Sequence, residues 1–270
     1  MTQQHTPTKA PSLDVVIPVL NEEKVLTASV TGVHHFLSGH MARYDWRIVV
    51  ADNGSTDWTL EILKRIKEFY KERFDYITLT QRGRGRALRK AWLESKADIV
   101  AYMDVDLSTH LGDFVPLIEA LDAGGYEIAI GSRLLPSSRV EARTTKREII
   151  SRSYNRIIQA MFGVKFKDAQ CGFKALTRRA VNDLMPLIQD PGWFFDTELL
   201  ILAEKNGYRI KEIPVRWTDD PDSRVKVFST ARKDMQGLLR MKLGGLRRQS
   251  AKLAQAHGAT MDAKTPKRGT

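Results

Sequence analysis

The stretch "LDVVIPVL" at residues 13–20 is apolar at almost every position and rich in β-branched side chains, and a segment of helical period follows it from Glu22 to about Leu37. A short run that is apolar on both faces reads as a strand covered on both sides. The same pairing returns three times. "WRIVVA" (46–51) precedes "DWTLEILKRIKEFY" (57–70), "DYITLT" (75–80) precedes "GRALRKAWLESK" (85–96), and "DIVAYM" (98–103) precedes a helix near 111–121. "YEIAIG" (126–131) adds a fifth strand, residues 133–156 form a basic connection and helix, and 193–217 read as a helix followed by another strand. Repeated strand–helix units predict one α/β domain with a mostly parallel, nucleotide-binding Rossmann-like sheet between helices. The ligand sites of such a sheet lie beyond the carboxyl ends of its strands.

At that edge the chemistry-bearing residues gather. Three strands end in polar clusters, "PVLNEE" (18–23), "ADNGSTD" (51–57) and "MDVDLS" (103–108). Asp52 stands before Asn53-Gly54, which is turn chemistry, and Ser55, Thr56 or Asp57 can cap the following helix; Asp52 can equally accept hydrogen bonds from a nucleotide's base or ribose. Asp104 and Asp106 sit where no helix needs a cap. Two carboxylates one residue apart in irregular backbone suit a hard cation such as Mg²⁺ or Mn²⁺, which would neutralise a diphosphate. "QRGRGRALRK" (81–90) sets two glycines and five basic residues at a strand-to-helix junction, a phosphate nest or a basic turn.

Bulk composition narrows the partners. Forty-three Lys and Arg against 32 Asp and Glu leave a formal charge of +11, which favours an anionic partner. Nucleic acid is disfavoured, because aromatic residues do not interleave with the basic segments. The single cysteine, Cys171, excludes an internal disulfide, and the six histidines show no zinc spacing, so a reducing compartment is expected. The polar opening "MTQQHTPTKAPS" lacks the apolar core of a signal peptide and is expected to form a disordered tail over 1–12. No run approaches the roughly 18 apolar residues of a spanning helix. Membrane contact is therefore expected to be peripheral, from the cytoplasmic, inner face.

Taken together, "VVIPVLNEE", "ADNGSTDWT", "RGRGRALRKA", "MDVDLS", "IGSRL", "KREIISRSYN", "DAQCGFKAL", "WFFDTELL" and "EIPVRW" resemble the family 2 glycosyltransferases of GT-A fold, specifically the polyprenyl-phosphate (dolichyl-phosphate) hexose synthases. The similarity covers about Leu13 to Arg232. It implies transfer of a hexose from a nucleoside diphosphate sugar to a polyprenyl phosphate with inversion, glucose from UDP-glucose being favoured over mannose from GDP-mannose. It also implies that Pro18, Leu20, Glu22, Asp52, Arg84 and Asp104 line the donor pocket, with Arg224 and Lys226 of "DSRVKVF" on the diphosphate. The resemblance further implies that Asp104 and Asp106 hold the metal and that Arg133, Arg147 and Ser151 grip the acceptor phosphate. Asp106, Asp168 and Asp196 are implied as catalytic. Physical chemistry agrees for Arg147 and Ser151, which share a helical face four residues apart. Cys171 reads as a packed residue, Asp196 as a possible cap and Glu198 as a residue that solvates a helix face.

Two departures stand out. Ser108 occupies the place where many relatives carry a metal-shell glutamine, and the carboxyl-terminal membrane helices of many bacterial relatives are missing. In their place a basic amphipathic helix is expected over 233–250, with Met235, Leu239, Leu243 and Leu246 in one stripe, and a disordered tail over 251–270. A family 2 glycosyltransferase with a different acceptor and nucleotidyl transfer to a sugar phosphate are the competing readings, the second lacking its glycine-rich signature after "VVIPV".

Overall fold

The computed structural model describes residues 10–218 and 227–264. Strands β1 (Ser12–Val19), β2 (Asp45–Asp52), β3 (Phe74–Thr78), β4 (Ile99–Met103) and β5 (Ile128–Ser132) fall where the apolar runs predict them. Helices α1 (Leu26–His40), α2 (Thr59–Tyr70), α3 (Arg84–Glu94) and α4 (Phe114–Asp122) alternate with them. α1 starts four residues later than its periodicity suggests, because Asn21 takes a left-handed conformation (φ 57°) and residues 22–25 turn before the helix begins.

Beyond β5 come β6 (Arg139–Glu141), α5 (Thr145–Phe162), β7 (Phe173–Thr177), α6 (Arg178–Leu184), α7 (Phe195–Lys205), β8 (Ile210–Pro214) and β9 (Arg216–Thr218). Seven strands form the main sheet in the order β3-β2-β1-β4-β7-β5-β8, and β6 pairs with β9 beside it. All neighbours in the main sheet are parallel except β7, which runs antiparallel to both β4 and β5. β7 is the strand that the apolar pattern does not announce, since "FKALT" carries a lysine at its second position. Its reversed direction brings the loop before it, residues 168–172, to the edge where β4 and β5 end.

Both faces of the sheet are covered. Leu13, Val15 and Ile17 of β1 pack with α1 and α4, while Val16, Val49 and Tyr102 pack with α3 and α7. β1 and β4 stay paired only as far as Val16 and Tyr102, so the strands part before Pro18, whose missing N–H is not needed on that side. The sheet therefore opens a crevice between the ends of β1 and β4, at the point from which the strand order runs both ways.

The carboxyl-terminal segment differs from its sequence reading. α8 (Val227–Arg240) buries Asp234 and Leu238, Met241 just after it is also buried in the core, and α9 continues from Leu246 to Lys264. Gly244 (φ 107°) breaks the helical path between them, a conformation glycine adopts without strain. α9 then lays Gln249 and Leu253 into the core, so folded structure does not stop near 248. Periodicity is weak there because only these positions face inward on an otherwise polar helix. At the other end, Ser12 belongs to β1 and bonds Asp98 through both its N–H and its hydroxyl (2.9 and 2.6 Å).

Candidate active site

Each parallel strand hands over its polar cluster at one edge. The loops after β1 and β2 are stitched together: Asn21 N–H donates to Ser55 Oγ (2.9 Å), Thr56 N–H donates to Asn21 Oδ1 (2.8 Å), and Glu22 N–H donates to Thr59 Oγ1 (3.0 Å). Ser55 and Thr56 thus tie the two loops rather than cap α2. Pro18 is buried opposite Ala51, and Leu20 and Glu22 are half-buried at the rim. Asp52 is buried and accepts Ser55 N–H through Oδ1 (3.1 Å), the turn role foreseen for it.

The basic junction is less of a phosphate nest than its glycines suggest. Gly83 N–H is spent on Asn53 Oδ1 and Arg86 N–H on the Pro191 carbonyl. Gly85 is there for packing: a Cβ would lie 2.5 Å from Cβ of Phe195. What the junction delivers to the site is Arg84. Its Nη2 donates to Asp104 Oδ1 (2.5 Å) and its Nη1 to Asp196 Oδ2 (2.9 Å), and its guanidinium lies 5.0 Å from the ring centres of both Tyr102 and Trp193.

After β4, the Asp104 N–H bonds the Gly172 carbonyl (3.2 Å), and Leu107 turns the chain with φ 51°. Asp106 is exposed, and its Oδ1 accepts Ser108 N–H (3.0 Å). Asp104 lies against the backbone of Gly172, where a Cβ would stand 1.7 Å from Asp104 Oδ2. The sequence reading missed three partners here: Gly172, Lys174 and Tyr102. Lys174 is fully buried in β7 and places Nζ 3.0 Å from Asp196 Oδ1, while Tyr102 Oη donates to the same oxygen at 2.5 Å. A lysine inside an apolar strand was the available signal, since a buried ammonium needs a counter-ion.

Asp196 is therefore buried and ringed by two cations and a hydroxyl. Asp168 is alike: it is fully buried and accepts Arg133 Nε (2.8 Å), Arg133 Nη2 (2.9 Å) and the Arg133 N–H (3.0 Å). Burial alone would raise the Asp168 carboxyl, but the Arg133 guanidinium brings it down to about 2 and is itself held firmly charged. Arg133 also stacks on Trp217, 4.9 Å from the ring centre. Both acids thus sit as counter-ions of arginines, not as open acids facing a substrate.

On α5, Thr144 caps the first turn by accepting Arg147 N–H, and Arg147, Ser151 and Asn155 follow one another on one face. Asn155 Oδ1 accepts Ala169 N–H (2.9 Å), which turns this face towards the loop that carries Asp168. Ser151 is buried and its hydroxyl has no hydrogen-bond partner among the described residues. Cys171 is buried, and burial pushes its thiol up to about 12, in keeping with a packed, protonated side chain. Glu198 does not solvate a helix face: it is buried and binds Arg240, Gln249 and the N–H groups of Gln189 and Asp190. Arg224 and Lys226 lie outside the described residues.

Residues 14–185 match the family described as Glycosyl transferase family 2. The chain belongs to that family. Among similar proteins, the dolichyl-phosphate beta-glucosyltransferase of Saccharomyces cerevisiae is 33% identical over 231 residues, covering 79% of this chain and 69% of the yeast protein. Its mouse namesake is 31% identical over 247 residues, covering 83% and 72%. Glycosyltransferase AglD of Haloferax volcanii is 34% identical over 213 residues, 79% of this chain but only 34% of the archaeal protein, so this chain spans about a third of that relative's length. In fold, the chain is similar to glucosyl-3-phosphoglycerate synthase of Mycobacterium tuberculosis (TM-score 0.63, 20% identity, covering 87% of this chain and 81% of the other). The same enzyme bound to Mn²⁺ and UDP-glucose superposes with a TM-score of 0.62, at 20% identity and 87% and 79% coverage. These neighbours carry the GT-A architecture, and the family makes the chain a glycosyltransferase.

Proposed function

We propose that this glycosyltransferase moves glucose from a nucleoside diphosphate donor, UDP-glucose in preference to GDP-mannose, onto a polyprenyl phosphate of the dolichyl type, with inversion at the anomeric carbon. The observation that carries the reading is the pairing of an acidic loop, Asp104 and Asp106, with an arginine-bearing face, Arg133 and α5, on two sides of the reversed strand β7. The curated relatives named as dolichyl-phosphate beta-glucosyltransferases support the lipid acceptor and the choice of glucose.

The acidic loop fits a divalent cation. Asp104 already accepts a cationic group at Oδ1, and Asp106 presents an exposed carboxylate. Among the described residues no third acid, histidine or cysteine completes a cluster. That suits an ion such as Mg²⁺ or Mn²⁺, which takes its other ligands from water and diphosphate. The ion would supply charge neutralisation for the departing nucleotide. The protein's own share is alignment and fixed charge. Pro18, Leu20, Glu22 and Asp52 line the nucleotide crevice, Arg84 faces the diphosphate, and Arg133 with Arg147 and Ser151 receives the acceptor phosphate, which arginine forks suit. The acceptor is already an anion and needs little general-base help, so Asp168 and Asp196 act here by positioning Arg133 and Arg84.

The same reading takes the protein to a membrane surface. No helix among the described residues is long and apolar enough to cross one. α8 and its kink leave Met235, Leu239 and Leu243 exposed by 37, 47 and 81%, and α5 exposes Ile149 and Ile157. The two helices are joined by Lys242 Nζ, which donates to the Met161 carbonyl (2.5 Å). With Arg232, Lys233 and Lys242 around it, this surface suits an anionic leaflet, on the cytoplasmic side where Cys171 stays reduced. Incubation with labelled UDP-glucose or GDP-mannose, Mn²⁺ or Mg²⁺ and a short polyprenyl phosphate tests the proposal. Glucosyl phospholipid from UDP-glucose is the expected product, and no transfer from either donor would overturn it.

A further inference from the structure

The carboxylate assigned to the metal in the proposed site already holds a cation of the protein's own. The Arg84 guanidinium is forked between Asp104 Oδ1 (2.5 Å) and Asp196 Oδ2 (2.9 Å), with its side chain only 11% exposed. As placed, Asp104 keeps Oδ2 against Gly172, where even a methyl group would overlap it, and turns Oδ1 to Arg84. The oxygen that faces Arg84 is the one left for an ion. A divalent ion that took it with Arg84 in place would sit next to a guanidinium, and like charges at that range oppose each other strongly in a part-buried site.

Asp196 shows why the arginine is able to leave. Its other oxygen is already served by Lys174 Nζ (3.0 Å) and Tyr102 Oη (2.5 Å), so Asp196 stays neutralised when Arg84 lets go of Asp104. The guanidinium also lies 5.0 Å from the ring centres of Trp193, which is 45% exposed, and of Tyr102, so two aromatic rings add cation–π contact to its ion pairs. A donor diphosphate in the crevice would give the freed Nη2 a new anionic partner and would supply oxygen ligands to an ion held by Asp104.

We propose that Arg84 is a resident counter-cation of Asp104, which makes the divalent ion and the donor diphosphate bind as a coupled pair instead of independently. The proposal rests on the donor site described above. Reciprocity follows: whatever factor the nucleotide adds to ion affinity, the ion adds to nucleotide affinity. Charge removal at Arg84 should break this coupling in one direction. The bare protein gains ion affinity, and the nucleotide's help shrinks.

Titration of Mn²⁺ followed by electron paramagnetic resonance, with and without saturating UDP or GDP, reads both quantities without any turnover. The wild type is expected to bind Mn²⁺ at least about tenfold tighter with nucleotide than without, a coupling of about 1.4 kcal/mol. Arg84→Met keeps the stem on the rings and removes the charge; it should bind Mn²⁺ about tenfold tighter than wild type in the absence of nucleotide, with the nucleotide effect reduced to about twofold or less. Arg84→Lys, which retains the charge, should stay near wild type. If Arg84→Met unfolds because Asp196 loses a partner, the double variant Arg84→Met/Asp196→Asn removes the orphaned acid and carries the same expectation. Unchanged Mn²⁺ affinity in the folded charge-removed variant overturns the role of Arg84 and leaves the donor site standing. No Mn²⁺ binding by wild type with either nucleotide overturns both.

Discussion

Replacing Gly172 by Ala is the sharpest probe of the acidic loop, because the residue touches no substrate in this reading and its effect is worked from contact distances. The added Cβ would stand 1.7, 2.4 and 2.8 Å from Oδ2, Cγ and Oδ1 of Asp104. Ordinary non-bonded separation begins near 3.4 Å, so the Asp104 carboxylate must retreat by about 1.7 Å. Gly172 is not in the left-handed region, so backbone strain does not enter. The retreat breaks the 2.5 Å bond to Arg84 and moves the metal-binding oxygen off its place. Asp104 is part-exposed and can swing towards water, which keeps the fold cost within the roughly 1–3 kcal/mol typical of overpacking. Catalysis is less forgiving, since misplacing a reacting group by about 1 Å costs on the order of a hundredfold. Gly172→Ala should therefore lower kcat for glucosyl transfer by about a hundredfold or more while circular dichroism still shows a cooperative thermal transition. Activity within about twofold of wild type would refute the placement of Asp104 as the metal-facing acid.

Other expectations follow from the same geometry. Asp168→Ala leaves the buried Arg133 without its counter-ion, costing about 3–5 kcal/mol and lowering Tm by roughly 10 °C; a Tm within about 2 °C of wild type in calorimetry would show that the pair carries no such burden. Burial pushes the Asp234 carboxyl up to about 6 from its ordinary 3.8, with Asp190 adding to the rise. The native state thus binds more protons than the unfolded chain between those values, so stability falls as pH rises through that window. Asp234→Asn should remove the fall and raise Tm at pH 7, corresponding to about 1–2 kcal/mol after allowance for partial hydration, and superimposable Tm–pH curves would count against it. Changing Met235, Leu239 and Leu243 together to Glu should abolish sedimentation with anionic vesicles at low salt, whereas unchanged sedimentation would remove α8 from the membrane contact. Deleting 234–270 is not an equivalent test, because Leu238, Met241 and Leu253 belong to the core.

Much of this fold was legible because a parallel strand buried on both faces leaves an apolar run, as β1, β2, β4 and β5 do, whereas β3, at the sheet edge with only Phe74 buried, is marked by its β-branched and aromatic residues instead. The acids after β4 were legible for a related reason: a carboxylate pair directly after a buried strand has no role in capping. The rest depended on tertiary partners. β7 escaped notice because Lys174 interrupts its apolar pattern, and the lysine is tolerated only because Asp196, 22 residues further on, folds back against it. Asp168 and Asp196 looked like reactive acids because their charge was visible in sequence and the arginines that occupy them were not. The inward positions of α9, Gln249 and Leu253, are too few to raise a periodic signal.

The reversed strand has one more effect. β4 and β5 are not neighbours but stand either side of β7, so the end that bears Asp104 and the end that bears Arg133 are two inter-strand steps apart, about 9.6 Å. That interval is a ruler cut by main-chain pairing, and in the proposed reaction it sets how far the acid facing the leaving diphosphate stands from the arginine facing the attacking phosphate. Side-chain changes along the rim leave that distance alone, because it belongs to the backbone.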